Sequence, residues 1–137
     1  MNLNIPYMET DNKLLNDAYR IAAGDIVGNI VYYQNGLLTE EKPCMIAGLD
    51  YNTPWTRDTA INIWNALSIL SPEVSKNTLL AVLEEEEGNI YIGGQYWDSI
   101  IWMIGAREYC RFHKDDNFYR LAFKAGRNSV HRLEEDE

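Results

Sequence analysis

Apolar residues recur along most of this chain at three- and four-residue steps, and the pattern reads as a succession of five helices. After a short extended start, Asp11 is placed to cap a first helix. Leu15, Ala18, Tyr19, Ala22, Ile26, Ile30 and Tyr33 share one side of it, and the Gln34-Asn35-Gly36 turn is expected to end it. A loop of about twenty residues then leads to Thr56. The second helix should begin near Arg57. Pro54 favours an extended Thr53, Thr56 can cap, and Asp58 in the first turn is favoured by the helix dipole. Ala60, Ile61, Ile63, Trp64, Ala66, Leu67, Ile69 and Leu70 leave almost no polar face, which predicts a helix surrounded by others.

Ser71-Pro72 stops that helix and starts a third, which carries Val74, Leu79, Leu80, Val82 and Leu83 and ends in Glu84-Glu85-Glu86-Glu87 and Gly88. Asn89 to Tyr96 reads as an irregular loop with room for a short strand around Ile90-Tyr91-Ile92. The fourth helix starts at about Trp97, and Ile100, Ile101, Trp102, Met103, Ile104 and Ala106 again run nearly all round it. The chain turns at His113-Lys114-Asp115, and a fifth helix from Asp115 or Asp116 presents Phe118, Leu121, Ala122, Ala125 and Leu133. Tight turns thus join helix two to three and four to five, while long loops precede two and four. Helices two and four should therefore run parallel, with both N-termini at one end. The expected fold is all-α: antiparallel helical hairpins in a partial α/α toroid of about five helices, forming a single helical domain over 1–137.

Composition narrows the partners. Hydrophobic content of 46%, with four Trp, nine Tyr and three Phe, supports a packed core. No apolar run approaches the roughly 18 residues of a membrane span. Met1 to Glu9 lacks the basic-then-apolar pattern of a signal peptide, so the cytoplasm is the default compartment. Twelve Lys and Arg against twenty-one Asp and Glu give a net charge of −9, which argues against a nucleic-acid partner. Two acidic runs, Glu84 to Glu87 and Glu134 to Glu137, read as solvated helix ends. Cys44 and Cys110 read as free thiols, with a disulfide as the alternative, and neither forms a metal-ligand pattern with His113 or His131. No cofactor or metal is expected. The absence of a phosphate-binding glycine loop and of a Ser or Cys nucleophile motif leaves little support for a small-molecule enzyme on a helical bundle.

The sharpest chemistry lies at the entrances of helices two and four, where Trp55-Thr56-Arg57-Asp58 and Trp97-Asp98 each set a carboxylate beside a tryptophan. For Asp98 the ordinary alternative is helix capping, and for Asp58 an ion pair with Arg57. Trp55, Trp97, Tyr91 and Tyr96 could stack on sugar faces or serve the core. Arg57, through its fixed fork of donors, and Gln95, through its amide, could hold hydroxyls.

Pro54-Trp55-Thr56-Arg57-Asp58-Thr59 resembles the Trp-x-Arg-Asp motif of glucoamylases and related six-hairpin glycosidases, including the glucosidase module of glycogen-debranching enzymes. Gly94-Gln95-Tyr96-Trp97-Asp98, followed by Ile100 to Ala106, is similar to a later inner-helix entrance of the same superfamily. The resemblance spans Leu49 to Leu133 and implies hydrolysis of O-glycosidic bonds, glucosides above all, with carbohydrate as the partner. It implies that Arg57 and Asp58 grip hydroxyls of the sugar next to the cleaved bond. Trp55, Gln95, Tyr96 and Trp97 complete the expected sugar-contact set, and Asp98 is either general acid or substrate contact.

A barrel of that superfamily has twelve helices and takes its general base from a later hairpin that nothing here matches. Glycoside hydrolysis ordinarily needs two carboxylates, held about 6.5–9.5 Å apart in inverting enzymes. The chain is therefore expected to be the N-terminal part of a barrel, with little or no turnover alone. Its apolar helices should be covered by the remaining hairpins or by a second copy in a homo-oligomer. The alternative is a noncatalytic helical module that self-associates through those helices. In either case the Asp58 and Asp98 carboxylates are expected at the same end of the helical layer, within roughly 15 Å.

Overall fold

The computed structural model describes residues 5–135; the first residues of the extended start and the last two of the acidic tail lie outside them. Among the described residues five helical rods alternate with two small sheets. Helix α1 spans Lys13–Gly28 and is followed by β1 (Ile30–Tyr33) and β2 (Lys42–Met45). Helix α2 comprises Thr56–Asn62, a π-helical stretch Ile63–Leu67 and a last α-turn Ser68–Leu70. Then come α3 (Pro72–Ala81), β3 (Leu83–Glu86), β4 (Asn89–Ile92), α4 (Asp98–His113) and α5 (Asp116–Glu135).

The all-α toroid is thus overturned: the fold mixes helices with two antiparallel two-stranded sheets. The first helix ends at Gly28 rather than beyond Tyr33, and its cap is Asn12, whose side chain accepts the Leu15 amide, rather than Asp11. Ile30 and Tyr33 fall in phase with the helical stripe, yet Ile30-Val31-Tyr32-Tyr33 is β-branched and aromatic and gains more as a pleated strand against Lys42–Met45. Most of the long loop before α2 is consumed by that hairpin. The Glu84 to Glu87 run is likewise not a helix end. Leu83, Glu84, Glu85 and Glu86 pair with Ile92, Tyr91, Ile90 and Asn89, and Glu87 (φ 51) and Gly88 (φ 77) form the two-residue hairpin turn. Charged side chains along such a short exposed strand discourage pairing with another chain.

Each hairpin is fastened to a helix by a hydroxyl that accepts a strand amide. The Met45 amide donates to Thr78 of α3 (3.0 Å), and the Ile92 amide donates to Ser129 of α5 (2.8 Å). The main core lies between α2, α3, α4 and α5, where Ile63, Leu67, Val74, Leu79, Leu83, Phe118 and Ala125 surround a fully buried Trp102. Its indole N–H donates to the Leu79 carbonyl at 3.3 Å, so the one polar atom of the core tryptophan is satisfied.

Helix boundaries follow local chemistry where the sequence supplies it. Ser71 caps α3 with Pro72 in its first turn, and Asp115 caps α5 by accepting the Phe118 amide at 3.0 Å. Asp115 also binds Lys76 of α3 at 2.6 Å. Helices α2 and α4 are parallel, as the loop lengths predicted, and they are joined at both ends. Arg57 reaches Asp98 at their N-termini, and His113 donates its Nε2 proton to the Ser68 carbonyl at their C-termini. Between these ties the helices touch backbone to backbone: a Cβ on Gly105 would lie 2.8 Å from the Ala60 Cα.

Neither helix is surrounded on all sides. Ile61, Trp64 and Ile69 on α2, and Ile100, Ile104 and Phe112 on α4, face outward. Helix α1 buries none of its residues, and Leu14, Leu15 and Ile21 on it are exposed. The apolar residues on all sides of α2 and α4 therefore mark helices buried on one side and bare on the other.

Candidate functional site

The site lies where α2 and α4 begin. Thr56 does not cap α2; Trp55 occupies the cap position without a side-chain bond, and the Thr56 hydroxyl donates instead to the Gly93 carbonyl at 2.7 Å. This buried bond ties the start of α2 to the chain entering α4. Gly94 is required beside it. Its φ is +114, and a Cβ there would lie 2.9 Å from Asp98 Oδ2 and 3.2 Å from Thr56 Oγ1.

Asp98 completes the junction. Its Oδ1 accepts from Arg57 Nε at 3.0 Å and Nη2 at 2.8 Å, and its Oδ2 accepts the Gln95 amide at 3.0 Å. The Gln95 carbonyl in turn accepts the Asp98 amide at 2.9 Å, closing a backbone turn just ahead of α4. Asp98 is buried, and all three bonds hold parts of the protein to one another. Arg57 therefore pairs with Asp98, 41 residues away, and not with its neighbour Asp58. Its guanidinium also lies 5.1 Å from the Trp97 ring centre, which leaves Arg57 fixed in direction with Nη1 outside these bonds.

Asp58, in the exposed first turn of α2, has no hydrogen-bond or ion-pair partner among the described residues. An open cleft of about 370 Å³ is lined by Trp55, Arg57, Asp58, Gln95 and Asp98, with Pro54, Thr56 and Gly94 at its base. That size suits a small polar ligand. Trp55 (56% exposed) and Trp97 (59%) present most of their rings to solvent, and Tyr51 stands edge-on to Trp55 at 5.8 Å. Of the four tryptophans only Trp102 belongs to the core.

The structure thus gathers Trp55, Arg57, Asp58, Gln95 and Asp98 around one cleft, with Trp97 on the far side of the guanidinium. Tyr96 does not line this cleft. It lies over the adjoining edge, exposed and in a left-handed conformation (φ 41). The sequence did not reveal Thr56 as a tether or Gly94 as the close-packed position between the helix starts; the Gly93-Gly94 pair was the signal available for the second. Among the described residues no three His, Cys, Asp or Glu side chains gather closely enough to hold a metal ion, and no helix is long and apolar enough to cross a membrane. Comparison with models of known protein families, with curated proteins and with solved structures finds no match.

Proposed function

We propose that this chain is a sugar-binding part of a glycoside hydrolase catalytic domain, acting on O-glycosidic bonds of glucosides. The observation that carries the reading is the presence, in one open cleft beside the exposed Trp55, of a carboxylate without a partner among the described residues and a guanidinium held in place by Asp98. A pyranose offers vicinal hydroxyls, which donate to a carboxylate and accept from a guanidinium, and an apolar ring face, which lies on indole. In this reading Asp58 accepts sugar hydroxyls, Arg57 donates to them through Nη1, and Trp55 supplies the stacking wall. Asp98 positions Arg57 and the Gln95 loop, since both its oxygens already accept protein hydrogen bonds. The Trp-Thr-Arg-Asp resemblance supports the same assignment and places the ligand as the sugar next to the cleaved bond.

The test is saturable binding of glucose and short α-glucans, followed by calorimetry or NMR, together with hydrolysis of nitrophenyl glycosides. Asp58→Ala removes an exposed, unpaired side chain and should abolish binding without changing the fold. Absence of any saccharide binding, or binding indifferent to Asp58→Ala, overturns the reading.

A second reading, a noncatalytic module that self-associates, is favoured by the two bare rows on α2 and α4, Ile61, Trp64 and Ile69 beside Ile100, Ile104 and Phe112. Large exposed apolar side chains of this kind are characteristic of association sites when they form a patch. Sedimentation should then show a homo-oligomer that Trp64→Glu dissociates. A monodisperse monomer over a wide concentration range contradicts it.

A further inference from the structure

A second open cleft, of about 390 Å³, adjoins the first, and Gly94 and Gln95 line both. The second lies between the β3–β4 hairpin and the C-terminal part of α5, with Glu84, Tyr91, Tyr96, Ser99 and Arg132 on its walls. Its chemistry repeats that of the first from unrelated residues. In the first cleft a guanidinium, Arg57, is anchored by Asp98 and lies near the Trp97 ring. In the second, Arg132 is anchored by both oxygens of Glu86 (Nη2 to Oε2 2.5 Å, Nη1 to Oε1 3.3 Å) and lies 3.4 Å from the Tyr91 ring centre. The first holds a carboxylate with no partner among the described residues, Asp58; the second holds another, the exposed Glu84.

Each cleft therefore offers a carboxylate acceptor without a partner among the described residues, an anchored guanidinium and aromatic surface, and the two share Gly94 and Gln95 in their walls. Tyr96, in the wall of the second cleft, is 78% exposed and held at a positive φ that bulky residues rarely adopt. We propose that the second cleft is a further saccharide subsite continuous with the first, so that the ligand is an oligosaccharide crossing the Gly94-Gln95 partition, not a single sugar. The proposal rests on the reading of the first cleft as a sugar site. Glu84 accepts hydroxyls of the second ring, Arg132 donates to them, and Tyr96 stacks on its face.

The experiment is calorimetric titration of the full chain with glucose and with α-1,4- and β-1,4-linked glucans of increasing length, repeated on Tyr96→Ala and Glu84→Gln. Both side chains are exposed, and far-UV circular dichroism of each variant should match that of the unaltered chain. Affinity should rise at least tenfold from glucose to the longer chain in one linkage series. Each variant should lose that gain while keeping its affinity for glucose, whereas Asp58→Ala should lose both. Equal affinity for glucose and every longer chain, or a length gain untouched by Tyr96→Ala and Glu84→Gln, overturns the second subsite and leaves the first standing. Failure to bind any saccharide overturns both.

Discussion

The division of labour between two aspartates one cleft apart can be tested by removing each. Asp98→Ala deletes two hydrogen bonds to Arg57 and one to the Gln95 amide. Hydrogen bonds to charged groups contribute about 1.5–3 kcal/mol when buried, but Arg57 is 48% exposed, so its share falls toward the roughly 1 kcal/mol of a surface pair. With about 1 kcal/mol for the Gln95 amide, the expected loss is about 2 kcal/mol. At about 3 °C per kcal/mol for a domain of this size, the melting temperature should fall by roughly 6 °C. Asp58→Ala removes a side chain with no partner and should cost no more than about 0.5 kcal/mol. Thermal melts of both variants, joined to Arg57→Ala in double-mutant cycles, give the coupling energies directly. Arg57 and Asp98 should couple by about 1 kcal/mol, and Arg57 and Asp58 by close to zero. A larger coupling to Asp58, or an Asp98→Ala protein that melts with the unaltered chain, would refute the geometry assigned to the cleft.

Other outcomes follow from the same physics. Gly94→Ala forces a Cβ onto a backbone at φ +114 and against Asp98 and Thr56, and should lower the urea midpoint by an amount equivalent to about 2 kcal/mol; an unchanged midpoint would contradict the close approach. Lys76, and then the Phe118 amide, hold the Asp115 carboxyl below its ordinary pKa. Because the folded value is the lower one, this stabilisation is complete above the unfolded value of about 3.9 and is lost as pH falls through the folded value. The stability gap between the unaltered chain and Asp115→Asn, wide at pH 6, should therefore narrow as the pH falls below the unfolded value, and a pH-independent gap would show that the carboxylate charge is not what matters. Burial pushes the Cys44 thiol up to about 12, so alkylation at pH 8 should reach Cys44 only after unfolding; prompt labelling of the native protein would be inconsistent with its position between β2 and α3.

Features encoded within a few residues were legible in the sequence: the Ser71-Pro72 boundary, the Asp115 start of α5, the opening of α4 at Trp97-Asp98, and the parallel course of α2 and α4. The two hairpins were not, apart from the short strand anticipated around Ile90-Tyr91-Ile92, which is β4. Their strands are four residues long, too short to show alternation against a helical background, and the Glu84 to Glu87 run carries the composition of a solvated helix end. Strand pairing for Glu84 to Glu86 depends on Asn89–Ile92, and on the Ser129 hydroxyl that holds Ile92, so the deciding contacts lie outside the local pattern. The cleft was legible as a set of residues and not as a set of pairs. That Arg57 reaches past Asp58 to Asp98 is a property of how two helices meet.

The π-helical stretch within α2 acts as a phase corrector. At Ile63–Leu67 the chain carries one residue beyond what an unbroken α-helix would use: the Ser68 backbone N–H donates back five residues to the Ile63 carbonyl, and Asn65 Nδ2 donates to the Ile61 carbonyl at 2.8 Å. The bulge absorbs that residue locally, so removing one residue here would restore regular winding and leave both ends of the rod in their present phase, whereas a deletion in the regular α-turn before it would rotate the helix start by the roughly 100° that an α-helix advances per residue. With Ser68 clamped to His113, the whole rotation would fall on the first turn and swing Arg57 away from Asp98. The bulge thus lets the middle of the helix carry an extra residue while the first turn keeps the azimuth at which Arg57 meets Asp98.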